Sequence, residues 1–191
     1  MKQNQALMNY QTKISPYIKN SVEIHFSQEE INKILNLAKQ IAINKAHEKH
    51  HIRDCHNEIK RFFTGLMGER AVEKLFDISI IDWSVGNSNK YDTPDIPGYT
   101  VGIKTVERGK FPIIPKNNKY AQIICIYNPD KQTVNICGLA TTLTLNRYQD
   151  DDLILSPALR ERNVKTGFYG FHMLIPLHNV NINILKGNKV E

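Results

Sequence analysis

The chain has 191 residues, enough for one sizeable core and short for two, so a single domain is expected to hold the whole function. Lys and Arg number 25 against 19 for Asp and Glu, a net charge of +6 that favours a polyanionic partner such as nucleic acid. No run of about 18 apolar residues occurs and "MKQNQALMNYQTK" has no apolar secretory segment, so neither membrane insertion nor secretion is expected, and the odd cysteine count (Cys55, Cys125, Cys137) suits a reducing cytoplasm.

Residues 1–20 are polar, with Pro16 and scattered apolar side chains, and predict an N-terminal arm ahead of a domain over 21–191. "SVEIHF" at 21–26 alternates as a short strand does. Ser27 and Glu30 then form a capping box, and Ile31, Ile34, Leu35, Ala38, Ile41 and Ala42 recur at helical spacing, predicting an amphipathic helix that runs toward residue 50. A second helix is expected over 57–76. Its Gly65 and Gly68 lower the helix propensity, a loss explained by close packing against another backbone. After Phe76 the texture becomes that of a sheet: "ISIIDW", "YTVGIKTV", "AQIICIY", "TVNICGLA" and "GFYGFHMLI" are β-branched or aromatic runs separated by turn residues. "NPDK" at 128–131 predicts a hairpin, and "RYQDDD" at 147–152 a solvated loop. In the two runs that hold them, Cys125 and Cys137 read as small hydrophobes.

In "DIPGYTVGIK", Pro97-Gly98 suits a type II turn and places Asp95 and Lys104 on paired strands. A carboxylate and an ammonium on one sheet face suit a divalent cation and a water aimed at a phosphodiester. Asp92, just before, reads as a turn former.

At these residues the chain resembles the PD-(D/E)XK nuclease superfamily, whose core is a helix bearing a Glu, a strand with "PD" and a strand with (D/E)XK. The matching stretches are "GERAVEKLF", "TPDI" and "VGIKT", within roughly residues 60–126. The resemblance implies an α/β, restriction-endonuclease-like fold, a central mixed β-sheet flanked by helices. It implies hydrolysis of DNA phosphodiester bonds with Mg²⁺ or Mn²⁺, and it allows a homodimer. By the same resemblance Asp95 is the metal-binding acid, Lys104 orients or activates the attacking water, Glu69 is the helix carboxylate, and the Ile103 carbonyl is a further metal ligand. The superfamily's acid at the (D/E) position is Gly102 here. That departure leaves a second reading open, a nucleic-acid-binding or regulatory module on the same fold with catalysis lost.

Strand alternation puts residues 102 and 104 on one face and 101, 103, 105 and 107 on the other, so Glu107 is not the replacement acid. Helical spacing instead puts Phe62, Leu66, Glu69, Glu73 and Phe76 on one stripe. A carboxylate turned toward a core needs a cation, a metal or donors, so Glu69, alone or with Glu73, is expected to supply the missing charge and to join Asp95 and Ile103 at the metal.

"HEKHH" offers a third reading. His47, Glu48 and His51 satisfy the H-E-x-x-H pattern of zinc metalloproteases, and Cys55 shares the helical face of His47 and His51. The cationic interior positions Lys49 and His50 favour a solvated helix end instead. For a phosphate backbone, the expected contacts are Arg108, Lys110, Lys116 and Lys119 after the lysine strand, and Arg160, Arg162 and Lys165 beside Phe168 and Tyr169.

Overall fold

The computed structural model describes residues 2–45, 55–83 and 100–177, with side chains from residue 8 onward except that of Cys55. The first twenty residues are no arm. They form helices α1 (Lys2–Lys13) and α2 (Ser15–Ile18), and Tyr10 and Ile14 are 4% and 0% exposed. Tyr10, Ile14 and Ile18 are four residues apart, so they share one helical face, and they pack with Phe111, Ile124 and Phe168. Strand β1 (Val22–His25) follows, and the capping box then forms as expected: Glu30 N donates to Ser27 Oγ at 3.2 Å and Ser27 N to Glu30 Oε2 at 3.0 Å. Helix α3 (Gln28–Lys45) buries Ile31, Ile34, Leu37, Ala38 and Ala42, so Leu37 takes the core position expected of Leu35.

Helix α4 (Cys55–Phe76) has two glycines of different meaning. A Cβ on Gly68 would lie 1.7 Å from Thr105 Oγ1, whereas one on Gly65 would meet nothing within 4 Å. Close approach therefore explains Gly68 alone. The strand expected at "ISIIDW" does not form. Asp77 turns the chain with φ 53°, and the Ile78, Ile80 and Ile81 amides donate to Glu73 rather than to a neighbouring strand.

The remaining elements are β2 (Val101–Glu107), β3 (Ile113–Pro115), β4 (Ala121–Asn128), β5 (Thr133–Ala140), α5 (Thr142–Arg147), β6 (Gln149–Asp150), α6 (Pro157–Glu161) and β7 (Lys165–Phe168). Short 3₁₀ turns cover Asp151–Leu153 and Phe171–Met173. The "RYQDDD" stretch is thus a helix end, a short strand and a 3₁₀ turn, not a plain loop.

Four strands form a mixed sheet in the order β1-β5-β4-β2, with β2 and β4 parallel and the other pairs antiparallel. The chain is therefore α/β, a mixed sheet with helices. A parallel pair needs a crossover, and residues 108–120 supply it, leaving β3 in a second sheet of order β3-β7-β6. The hairpin at "NPDK" forms as expected between β4 and β5, with Asn128 Oδ1 accepting from Asp130 N at 3.2 Å.

Strand β4 is buried on both faces. Ile123, Cys125 and Tyr127 point into the core beneath α3 and α4, while Ile124 and Ile126 point toward α1, β3, α5 and β7. Both cysteines behave as small hydrophobes. Burial pushes the Cys125 thiol well up and that of Cys137 to about 12. On β5 the pairing slips: Cys125 faces Ile136 but Ile124 faces Gly138, so Cys137 is the extra residue of a bulge. Gly138 has φ 141°, and a Cβ there would lie 2.7 Å from the Ile175 carbonyl oxygen. The bulge reverses side-chain parity, so Val134, Ile136 and Leu139 all serve the α3/α4 core.

Candidate functional site

Strand β2 pairs with β4 in unbroken parallel register from Val101↔Ala121 to Glu107↔Tyr127. Alternation therefore holds along its whole length. Val101 and Ile103 belong to the core beneath α3 and α4, Thr105 lies against Gly68 of α4, and Val106 belongs to the opposite core. Gly102 and Lys104 consequently face away from α4, toward α1 and the second sheet. Lys104 is half-buried there. Asp92, Asp95 and the Pro97-Gly98 turn lie outside the described residues, as do His47, Glu48 and His51.

The helix acids sit differently. Glu73 is 3% exposed, and its carboxylate is satisfied within the fold. Ile80 N and Ile81 N donate to Oε1 at 2.7 and 2.8 Å, and Arg70 Nη1 donates to Oε2 at 2.8 Å. The core-facing carboxylate has the donors it needs in two backbone amides and a guanidinium. Its work is to tie α4 to the segment that follows. By alternation Gly102 lies on the strand face opposite Thr105, the residue that meets α4 at Gly68. Glu69 is half-buried on α4, next to Gly68 and its contact with Thr105.

Glu107 lies on the α4 face, as alternation predicts. Lys60 Nζ approaches it at 2.9 Å and Lys110 Nζ at 2.7 Å. Burial opposes ionisation of this carboxyl, but the hydrogen bonds from Lys110 and Lys60 outweigh it and hold the group below the usual carboxylate range. The turn that brings Lys110 back has Gly109 at φ 88°, with Lys110 N donating to Glu107 O at 3.1 Å.

Lys104 opens on a cleft of about 1270 Å³ between the first turns of α4, the end of β2 and the 150–165 region. Its charged lining holds five cations (Arg61, Lys104, Lys110, Arg160 and Lys165) against three acids (Glu58, Asp150 and Asp152), with Phe111, Ile113 and Leu153 as apolar wall. The cleft is therefore biased toward an anion. Arg61 and Glu58 were not expected here. They lie 2.8 Å apart, and Glu58 has only 15% of its side chain exposed. The sequence signal was "NEIKR" at the helix start, a charged first turn that extends past the strand end.

Of the expected phosphate contacts, Lys110, Arg160 and Lys165 line this cleft, while Arg108, Lys119 and Arg162 are exposed but are not part of its lining. Three of the seven have internal work, Lys110 through its pair with Glu107. Lys116 is held by Asp151 at 2.6 Å, and Arg160 Nη2 donates to the Asp152 carbonyl at 2.8 Å while its Nε donates to that of Ile154, bracing the cleft wall. Phe168 is fully buried, so of the expected aromatic partners only Tyr169 faces outward. Among the described residues no group of three His, Cys, Asp or Glu side chains is placed to hold a metal, and no helix is long and apolar enough to cross a membrane.

Comparison with family models, with curated proteins and with solved structures finds no match to this chain.

Proposed function

We propose that this chain is a metal-dependent nuclease of restriction-endonuclease-like fold that hydrolyses DNA phosphodiester bonds. The observation that carries the reading is the position of Lys104: half-buried on β2, it opens on a cleft whose charged lining is five cations to three acids. In this reading Lys104 orients the attacking water by donating to it, and its charge favours the hydroxide form. Asp95, Glu69 and the Ile103 carbonyl are oxygen donors of the kind Mg²⁺ and Mn²⁺ take, and they would hold the ion. The fit rests on Asp95, because the described acids alone form no three-ligand group. Bound there, a divalent cation supplies positive charge at the phosphoryl oxygens and lowers the pKa of a coordinated water. Lys110, Lys165 and Arg61 line the cleft where a phosphate backbone would lie.

A second reading has its own support. With Glu73 satisfied by amides and Gly102 at the superfamily's acid position, the described residues hold no three-acid group. The chain would then bind nucleic acid without cutting it. Incubating plasmid and linear DNA with Mg²⁺ or Mn²⁺, for the unsubstituted protein beside Asp95→Ala and Lys104→Ala, separates the two. Cleavage lost in both variants with binding retained supports the nuclease. Binding without cleavage in every case supports the module, and neither activity in the unsubstituted protein sinks both.

A further inference from the structure

A row of outward-facing rings begins at the mouth of the cleft and runs away from it. Asp150, a cleft residue, pairs with Lys13 at 3.8 Å, and Lys13 Nζ lies 4.5 Å from the centre of the Tyr169 ring. Tyr169 meets Tyr148 edge to face at 5.8 Å, Tyr148 meets His172 at 4.8 Å, and His172 meets Tyr17 at 6.0 Å. Arg147 adds a second cation, 5.7 Å from the centre of the Tyr148 ring.

Tyr148 and Tyr169 pack on the edge of the core yet stay partly exposed. In "FYGFH" the core takes Phe168 and Phe171, while Tyr169 is half-exposed and His172 exposed. Tyr17, at the far end, is 37% exposed. The backbone is fitted to the arrangement: Tyr169 N donates to Tyr148 O at 3.1 Å, and a Cβ on Gly170 would lie 2.8 Å from that of Tyr148. Rings that are amphipathic, partly exposed and flanked by cations offer π-faces to any base and charge to the backbone between bases. Duplex DNA keeps its base faces stacked inside, so the chemistry selects unpaired nucleotides.

We propose that Lys13, Tyr17, Tyr148, Tyr169 and His172 form a track that stacks the bases of single-stranded nucleic acid and leads the strand into the Lys104 cleft. This rests on the nucleic-acid reading above, and the test keeps the two apart. A fluorescent oligothymidine of about twelve nucleotides, within the span of known single-strand sites, is titrated with the full chain in EDTA, beside a duplex of the same length. Tyr17→Ala and His172→Ala are each expected to weaken single-strand binding by about tenfold, the scale of one stacked base. Tyr17→Phe keeps the ring and stays within about twofold, and duplex binding is unchanged in all three. Unaltered thermal melting of the variants excludes misfolding as the cause. Equal losses on single strand and duplex, no loss at all, or no oligonucleotide binding by the unsubstituted protein overturns the track. Ring-dependent binding without Mg²⁺-supported cleavage keeps the track and removes the nuclease. Cleavage that needs Lys104 with binding indifferent to Tyr17 does the reverse.

Discussion

The two faces of the four-stranded sheet use charge in opposite ways. Beneath α3 and α4, charged groups are paired with one another and with the backbone. Glu73 takes two amides and Arg70, and Glu30 takes the Ser27 amide and Lys74, whose Nζ also donates to the His25 carbonyl. On the face carrying Gly102 and Lys104 there are pairs too, Arg61 with Glu58 and Lys110 with Glu107, but cations outnumber acids in the lining of an open cleft. A buried charge with a full set of short-range partners holds a fold together, whereas a surplus of one sign in a cleft waits for something from outside. In the proposed reading, stability rests on the first face and chemistry on the second.

Substitutions that separate activity from stability test that division. The largest expected effect is on the cleft face. Lys104→Ala should lower the proposed DNA cleavage by about 10²- to 10⁴-fold, the range of one positioned proton-transfer group, while leaving the urea midpoint in place. A variant that unfolds instead would make Lys104 a structural residue and erase the contrast. On the helical face, Glu73→Ala orphans the Ile80 and Ile81 amides and takes the nearest partner from Arg70, at a cost of roughly 3 kcal/mol in urea unfolding. If Glu73→Ala left stability alone and abolished cleavage, Glu73 would belong to the catalytic centre after all.

The two α4 glycines sharpen the point, because the same change should act with opposite sign. Gly68→Ala drives a methyl into the short, branched side chain of Thr105 and should destabilise by about 2 kcal/mol, while Gly65→Ala meets open space and should stabilise by roughly 0.5–1 kcal/mol. Melting temperatures of the pair decide it.

The smallest effect is acid sensitivity. Partners outweigh burial to lower the pKa values of both Glu30 (the Ser27 amide, Lys74 and Arg70) and Glu107 (Lys110 and Lys60). A carboxyl with a depressed folded-state pKa contributes stability above its unfolded value of about 4.3 and loses it as pH falls through the folded value. Stability should therefore decline below about pH 4.3, and Glu30→Gln or Glu107→Gln should flatten that decline by up to about 1 kcal/mol. An unchanged acid limb in both variants would place the acid response elsewhere.

How much was legible depended on range. The capping box at Ser27 and Glu30, the alternation that separates Lys104 from Glu107, and the hairpin at Asn128 are set by residues a few positions apart, and the sequence carries them openly. Which face of β2 receives α4 is a tertiary fact, carried by the fit of Gly68 to Thr105 and the pair of Lys60 with Glu107. That is why Glu73 was expected at the space left by Gly102. The stripe holding Glu73 was legible and so was its need for donors. The donors were main-chain amides of Ile80 and Ile81, which any side chain could have carried. Tyr10 and Ile14 were hidden by polar neighbours, and the bulge at Cys137 changes parity without changing composition.

The β1–β5 pairing has a consequence in time. Val22 pairs with Ile136 and His25 with Thr133, so a strand made among the first residues has its partner more than a hundred positions later. Loop closure over such a distance is slow beside the local β4–β5 hairpin, which needs only the Pro129–Gln132 turn. During synthesis, β1, α3 and α4 emerge with their apolar faces uncovered, and the sheet beneath them can close only once the hairpin has left the ribosome. The polar outer face of α3, closed at its start by the Ser27–Glu30 box, therefore also protects a chain whose core is still incomplete.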